Sequence, residues 1–529
     1  MHSFIYAVFF SVAVFLSVKM PTDFYTIYWS GVKWTDSLLF LGIVFVVYAI
    51  VVLCDFGLNR SEEYFTRTHS DRVLKRGCMV AFVCYAVLFL SWVVTFLAFY
   101  PGNISADSYS SIHQAVTHID STAHPVLFTL LVQFCLKIGL GLFGNMNAAI
   151  ATFSIVQMLL LDVILTYTVV WLSKHGVPKL FLILSIVYFA FNPLIVRFSF
   201  TMWKDILFSG VILLLVLFLY DLVTDVNTSL RKNRTLVHFL SLCILVAFLR
   251  NRIVYAVLLS FVILSVLDKE NRKKLLLAFS LTGFAILIIQ GPVYDALNIK
   301  QSNFAESQGV TLQQLAAVVV ENGEITESEE EFLNQIILLE DIPEIYIAST
   351  VDALKGSPSF DHDFLNMHSA EYIEVWKNVV LKNIGISVKA WLMTTRGFWG
   401  FNVWIEPFAI TQPNEKLDIY QVNFVKNWFG VDLSYISNGI LVNLNKVPLV
   451  RRLFELGALG WFGLFCCLRQ IQKKRYKVLL ALLPLTGLWL VLIFTTPIFF
   501  EARYMFAYHL ALPVLGCMLL MGENLRKQE

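Results

Sequence analysis

Twelve apolar runs, most of them close to the ~20 residues needed to cross a hydrocarbon layer, divide this 529-residue chain and leave it few ways to fold. They begin with Phe4 to Val18, Leu38 to Cys54 and Cys78 to Phe99. They continue with Asn147 to Leu172, Leu180 to Phe200, Ile206 to Tyr220, Leu236 to Leu249, Ile253 to Leu267 and Leu275 to Gln290, and close with Leu449 to Leu468, Val478 to Thr496 and Tyr504 to Met521. With 57% hydrophobic residues, 15% charged residues and a mean hydropathy of +0.69, the chain lies outside the range of water-soluble globular proteins. The expectation is an all-α polytopic membrane protein of about 12 transmembrane helices. No small-residue cleavage site follows the first run, which is read as a retained helix and not a signal peptide.

Lys and Arg in short loops mark the cytoplasmic side. The basic loops fall at Arg60 to Arg76, Lys174/Lys179, Arg231 to Arg234, Lys269 to Lys274, Arg469 to Lys477 and Arg526/Lys527, and all share one side if both termini are cytoplasmic. Two segments decide the parity. Val126 to Phe143 is apolar enough to span but would invert the loops after it, so it is read as a helix in the outer interface, or dipping part-way, behind the Pro125 breaker. Arg250, Asn251 and Arg252 interrupt the run Leu236 to Leu267, which becomes two short spans of about 21 Å meeting at the outer face.

This divides the chain into two N-terminal spans and a basic loop (1–77), a membrane module (78–291) with an external loop at 100–146, an extracytoplasmic domain (292–447) and C-terminal spans (448–529). In the extracytoplasmic part acids outnumber bases about two to one. Thr326-x-x-Glu329 forms a capping box before a helix through Leu339, and Leu312 to Val320 reads as another helix, so the domain is folded and mainly helical. The net charge of +2 argues against a nucleic-acid partner. The eight cysteines lie in apolar segments without a CxxC, which implies neither a disulfide framework nor a metal knot. No internal repeat is visible, which weakens a transporter built on inverted repeats.

Four polar constellations gather on the expected outer side. Tyr100 to Pro125 carries Asp107, His113, His118, Asp120 and His124 with no Lys or Arg; the others are Lys204-Asp205, Arg250-Asn251-Arg252 and Glu501-Ala502-Arg503-Tyr504. Ionisable groups at membrane depth are costly, so their clustering on one side favours a shared site. Asp107, just past the Pro101-Gly102 break, suits a general base or a ligand for a divalent cation, and equally a helix cap. His124-Pro125 suits a group orienting a phosphate or the acidic pair, or a helix start satisfied by backbone. His113, His118 and Asp120 lack metal-ligand spacing and read as solvated.

Asp205 offers a second carboxylate facing Asp107, or an N-cap beside a snorkelling Lys204. Guanidinium groups match phosphate geometry, so Arg250, Arg252 and Arg503 suit a lipid-linked phosphate; generic headgroup anchoring, or for Arg503 a pair with Glu501, is the plainer alternative. The aromatic segment 395–404, TRGFWGFNVW, could stack on sugars, or pack as domain core or an interfacial belt.

The order YPGNISADSYSS, AHPVLFTLL, LGLFGN, FNPLIVRFSFTMWKDILFSG, LRNR, LQQLAAVVV, KNIGISVKAW and EARYMF resembles a bacterial multi-spanning membrane family of unknown function grouped with the GT-C glycosyltransferases. The resemblance covers roughly Tyr100 to Tyr504. It implies a GT-C-like membrane enzyme that moves a sugar from a polyprenyl-phosphate donor to a surface glycan acceptor on the outer face, in contact with membrane lipids. Asp107 matches the essential aspartate of the first long external loop, Asp205 a second acidic position, and His124-Pro125 the start of an interfacial helix. Arg250, Arg252, Arg503 and Lys204 would hold the lipid phosphate. In the first loop Asp107 stands without the second Asp of an Asp-x-Asp pair that would signal an obligatory metal, so a divalent cation on Asp107 and Asp205 stays open. So do a lipid-linked substrate transporter or flippase and a polysaccharide polymerase or ligase, together with the identity of sugar and acceptor and the oligomeric state.

Overall fold

The computed structural model describes residues 1–20, 33–68, 77–119, 121–224, 230, 232–250, 262, 265–266, 272–401, 403, 420, 422–425, 427–428, 431–432, 439, 443, 446–447, 450, 452–499 and 501–521. Most of this is helix, with one hairpin of two-residue strands, Asn427–Trp428 and Val431–Asp432. Among the described residues eight helices are long and apolar enough to cross a membrane, or nine if one bent pair is a single span. They are α1 (His2–Lys19), α2 (Asp36–Thr68), α3 (Gly77–Ala98), α5 (Val126–Phe143), α6 (Met146–Lys174), α9 (Lys204–Thr224), α11 (Arg272–Ile288, running on through a short turn to Ala296) and α17 (Tyr476–Thr495). The bent pair is α7 (Lys179–Phe191) and α8 (Pro193–Ser199), turned by 56° where Asn192 accepts from the Leu194 and Ile195 amides ahead of Pro193.

Four of the twelve expected runs do not give such a helix among the described residues. Leu236 to Leu249 falls in the 17-residue α10 (Asn233–Leu249), and Leu449 to Leu468 contributes to the 17-residue α16 (Leu456–Gln472). Tyr504 to Met521 resolves into a tight turn and the 13-residue α18 (Phe506–Met518). Most of Ile253 to Leu267 lies outside the described residues.

Side-chain contacts define two ends of one bundle. At the first end, Arg469, Lys473 and Arg475 converge on Glu62 of α2, Gln470 donates to the Met518 carbonyl, and Arg475 to that of Met521. Gln472 reaches Ser3 at the start of α1. In the α6/α9 pair Trp171 and His175 meet Asp221, about 24 Å along α9 from Asp205 at the helical rise of roughly 1.5 Å per residue. The second end collects the C-termini of α3, α8, α10 and α17 and the N-termini of α9 and α18. Acidic partners of the basic 469–477 loop thus sit at one end, and the candidate chemistry at the other. Exposed Leu38, Phe45, Leu53 and Phe56 on α2 form an apolar face that hydrocarbon can cover.

α5 passes the length test for a span, yet its two ends meet the same part of α6. Phe128 packs on Phe153 with ring centroids 5.7 Å apart, while Gly139, three turns on, lies against Ala149. A helix running along α6 would have shifted its contact by as many residues, so α5 crosses the first turns of α6 with both ends at the second end of the bundle. Its inner face joins α4 (Ala106–Thr117) through Ile112, Ala115, Val132 and Leu136.

Beyond α11 comes a helical domain. Thr326 and Glu329 form the capping box, but the helix is α13 (Glu327–Asn334), shorter than the run to Leu339. Asn334 Oδ1 captures the Leu339 amide at 3.0 Å, and Ile336 and Ile337 turn into the core instead. α12 (Gly309–Val320) and α14 (Ser369–Lys382) complete this core, and α15 (Ile384–Trp399) carries it into the membrane bundle. The two ends predict opposite accessibility. In a cysteine-free background, Ala123→Cys is expected to react with an impermeant maleimide in intact cells and Lys477→Cys only after permeabilisation; labelling of both from one side would overturn the two-ended arrangement.

Candidate functional site

Asp107 reaches the bundle through a short stretch of backbone pairing. Asn103 N donates to the Phe200 carbonyl at 3.2 Å, Met202 N to that of Asn103 at 3.2 Å, and Asn103 Nδ2 to Thr201 Oγ1 at 2.8 Å. Gln157 of α6 donates from one amide nitrogen toward the carbonyls of Phe198, Ser199 and Thr201, fixing the turn between α8 and α9. Gly102, at φ +155°, has no room for a side chain, because a Cβ would stand 2.3 Å from Ser154 Oγ. The helix that follows is capped by Ser105, whose backbone amide donates to Ser108 Oγ at 3.0 Å. Asp107 sits in the first turn and is not the cap, so its carboxylate is available for another partner.

That partner is Arg503, which donates from Nη1 to Asp107 Oδ2. The same guanidinium has Nε 3.1 Å from Glu501 and 4.0 Å from Asp205. Asp205, in the first turn of α9, is fully buried and faces Arg250 Nη1 at 2.9 Å, in an ion pair that leaves both its oxygens without a hydrogen bond among the described residues. Aromatic faces hold the two arginines. Arg250 lies 4.7 Å over Tyr504, and Arg503 lies 4.9 Å over Trp203 and 5.2 Å over Tyr504. Trp203 is fixed in turn by donating to Ser105 Oγ at 2.6 Å.

Lys204 completes the cluster, with Nζ 3.5 Å from His124 Nδ1 and 3.4 Å from the Ala123 carbonyl. Because Lys204 donates to Nδ1, the neutral imidazole carries its proton on Nε2 and offers a donor there. Six of the seven sequence-picked residues, Asp107, His124, Lys204, Asp205, Arg250 and Arg503, therefore lie in one network; Arg252 lies outside the described residues.

Burial pushes the Asp107 carboxyl upward, but Arg503, Lys204 and His124 outweigh it and hold it at about 2. Burial, then Lys204, brings His124 down to about 4. Burial raises Glu501 against the pull of Arg503, with Asp107, Asp205 and Asp352 adding to the push. Asp352 arrives from the helical domain, where the Val351 amide donates to the Pro497 carbonyl at 3.2 Å and the Phe499 amide to that of Ser349 at 3.3 Å.

Among the described residues no group of three or more His, Cys, Asp or Glu is placed to hold a metal ion. The Asp107 and Asp205 charges are met by arginine, a poor fit for the divalent cation left open by the sequence. His113 is exposed and bonds Tyr420 OH at 2.8 Å, and His118 ends α4 in the left-handed region; Asp120 lies outside the described residues. The described part of the aromatic segment is core: Phe398 and Trp399 are buried, with carbonyls taking the indole N–H of Trp489 and Trp461, and Arg396 donates to Ser17.

Trp203 and Tyr504, the second named in the sequence only as a neighbour of Arg503, join the site together with Ser105 and Asp352. The first two stand directly beside Lys204 and Arg503, which is the one local signal for a cation–aromatic contact.

An apolar helical bundle with a charged cluster at one end defines a multi-pass membrane protein. Residues 117–529 match the family of unknown function DUF6020, and the chain belongs to that family. Asp107 precedes the matched region, which contains the other site residues. No curated protein and no solved structure matches the chain.

His124 gives the site a pH signature. Unfolded, it takes a proton near 6.5 and, folded, near 4, so between these values the unfolded state binds more protons and stability falls as pH drops from about 6.5 to about 4. In purified protein, His124→Asn is expected to remove that part of the melting-temperature profile, a difference on the order of 3 kcal/mol. An unchanged profile would show that His124 is not held neutral.

Proposed function

We propose that this protein is a GT-C-like membrane glycosyltransferase that moves a sugar from a polyprenyl-phosphate donor to a cell-surface glycan or polymer acceptor. The reaction takes place at the outer face of the cell membrane, with both termini cytoplasmic. The observation that carries the reading is Arg250 and Arg503 stacked on aromatic rings beside Asp107 and Asp205, at the bundle end opposite the basic 469–477 loop. Two fixed guanidinium groups at an apolar boundary suit a phosphate whose lipid chain stays in the bilayer.

In the proposed reaction an acceptor hydroxyl attacks the anomeric carbon and forms the new glycosidic bond. The bond from that carbon to the phosphate oxygen breaks, and the lipid phosphate leaves with the electron pair. Arg250, Arg503 and Lys204 counter the charge that builds on the leaving oxygen, and the His124 Nε2 proton is a further donor. Asp107 orients the hydroxyl and takes its proton; Asp205 holds Arg250 and Arg503 in place. The helical domain, joined to the Arg503 segment through 349–351 and 497–499, binds the acceptor.

Asp107→Asn and Arg503→Gln, each expressed and extracted at normal level and size, are expected to lower transfer from a polyprenyl-phosphate sugar in membranes at least about 100-fold. Full transfer by Asp107→Asn would remove the central assignment. One observation favours a transporter instead: Asp162, mid-way along α6, is fully buried with Oδ2 unpartnered among the described residues. Movement of a lipid-linked sugar across proteoliposomes without bond formation would put that reading first.

A further inference from the structure

Among the described residues, each cation of the site has a carboxylate near it. Lys204, Arg250 and Arg503 stand against Asp107, Asp205 and Glu501, and three of these carboxylates share the Arg503 guanidinium. An incoming phosphate gains the Arg503 Nη1 donor only if Asp107 gives it up.

The three differ in how readily they can leave. Asp205 is 0% exposed and buried against two arginines, so releasing it would strand a charge without water. Glu501 is 25% exposed, two residues from Arg503 on the same tight turn. Asp107 is 40% exposed and stands on a separate helix whose cap and Ser108 to Met202 bond do not involve its carboxylate. It can turn toward solvent with α4 unmoved.

We infer that Asp107 is an internal stand-in for the phosphate on Arg503, displaced when the anion binds and thereby freed to act on the acceptor. This rests on the proposed phosphate role of Arg503 and adds an order of events to it. While Arg503 holds Asp107, the carboxylate is a weak base committed to an ion pair. Once phosphate takes the guanidinium, the oxygens of Asp107 become available to a hydroxyl, so the donor must arrive before the acceptor is activated. Acceptor deprotonation is suppressed in the empty site.

The full-length protein in nanodiscs, titrated with a short-chain polyprenyl monophosphate and separately with inorganic phosphate, tests this. Removing the competitor by Asp107→Asn is expected to tighten polyprenyl phosphate binding at least about fivefold while transfer is lost. Asp107→Ala serves as a second variant should the amide pair with Arg503 or fold poorly, and the same tightening is expected. Arg503→Gln is expected to weaken binding at least about tenfold. Inorganic phosphate following the same pattern would assign the effect to the headgroup; a response limited to the lipid form would add a requirement for the chain, with the competition intact. Unchanged or weaker binding by both Asp107 variants would overturn the inference alone. Binding that ignores Arg503→Gln, or no binding by the wild-type protein, would overturn the phosphate site and the inference with it.

Discussion

The site is organised around one guanidinium. Arg503 is the only described group in contact with Asp107, Asp205 and Glu501 together, and it links elements far apart in sequence: α4, the start of α9 and the turn before α18. A charge of this kind at a membrane boundary is tolerated only when compensated. Compensation requires that these elements meet, so the pairing of 103 with 200–202 and of 349–351 with 497–499 follows the same need. Trp203 and Tyr504 hold the planar group in the orientation that three carboxylates can share.

What could be read in advance follows from the strength of each signal. Hydropathy marks helices by length, and the directions of α1, α3, α6, α9, α10, α16, α17 and α18 follow the alternation that the basic loops require. It does not mark where an apolar run bends or stops. α10 and α16 come out at 17 residues each, and Asn192 with Pro193 folds one run into α7 and α8. α5 shows the limit from the other side. Its composition is that of a span, while Gly139 against Ala149 shows that it crosses α6.

For the site, the charged residues were legible because charge is rare in such a chain and must be explained wherever it occurs. Their partners were not. Asp107 carried the features of a helix cap until the structure gave that role to Ser105, two residues earlier. The segment around Trp399 offered aromatic faces for a sugar, and its described residues are instead packed between α1, α16 and α17. Asp352 had no local signal, since only the pairing of distant backbone brings it near Glu501.

A cryo-EM structure in lipid nanodiscs with a bound polyprenyl phosphate would test the central claim most directly. The account predicts phosphate density within hydrogen-bonding distance of both Arg250 and Arg503, with the Asp107 carboxylate turned off Arg503 and Asp205 still buried beside Arg250. Phosphate bound elsewhere in the protein, or bound with the Asp107 to Arg503 pair intact, would contradict it.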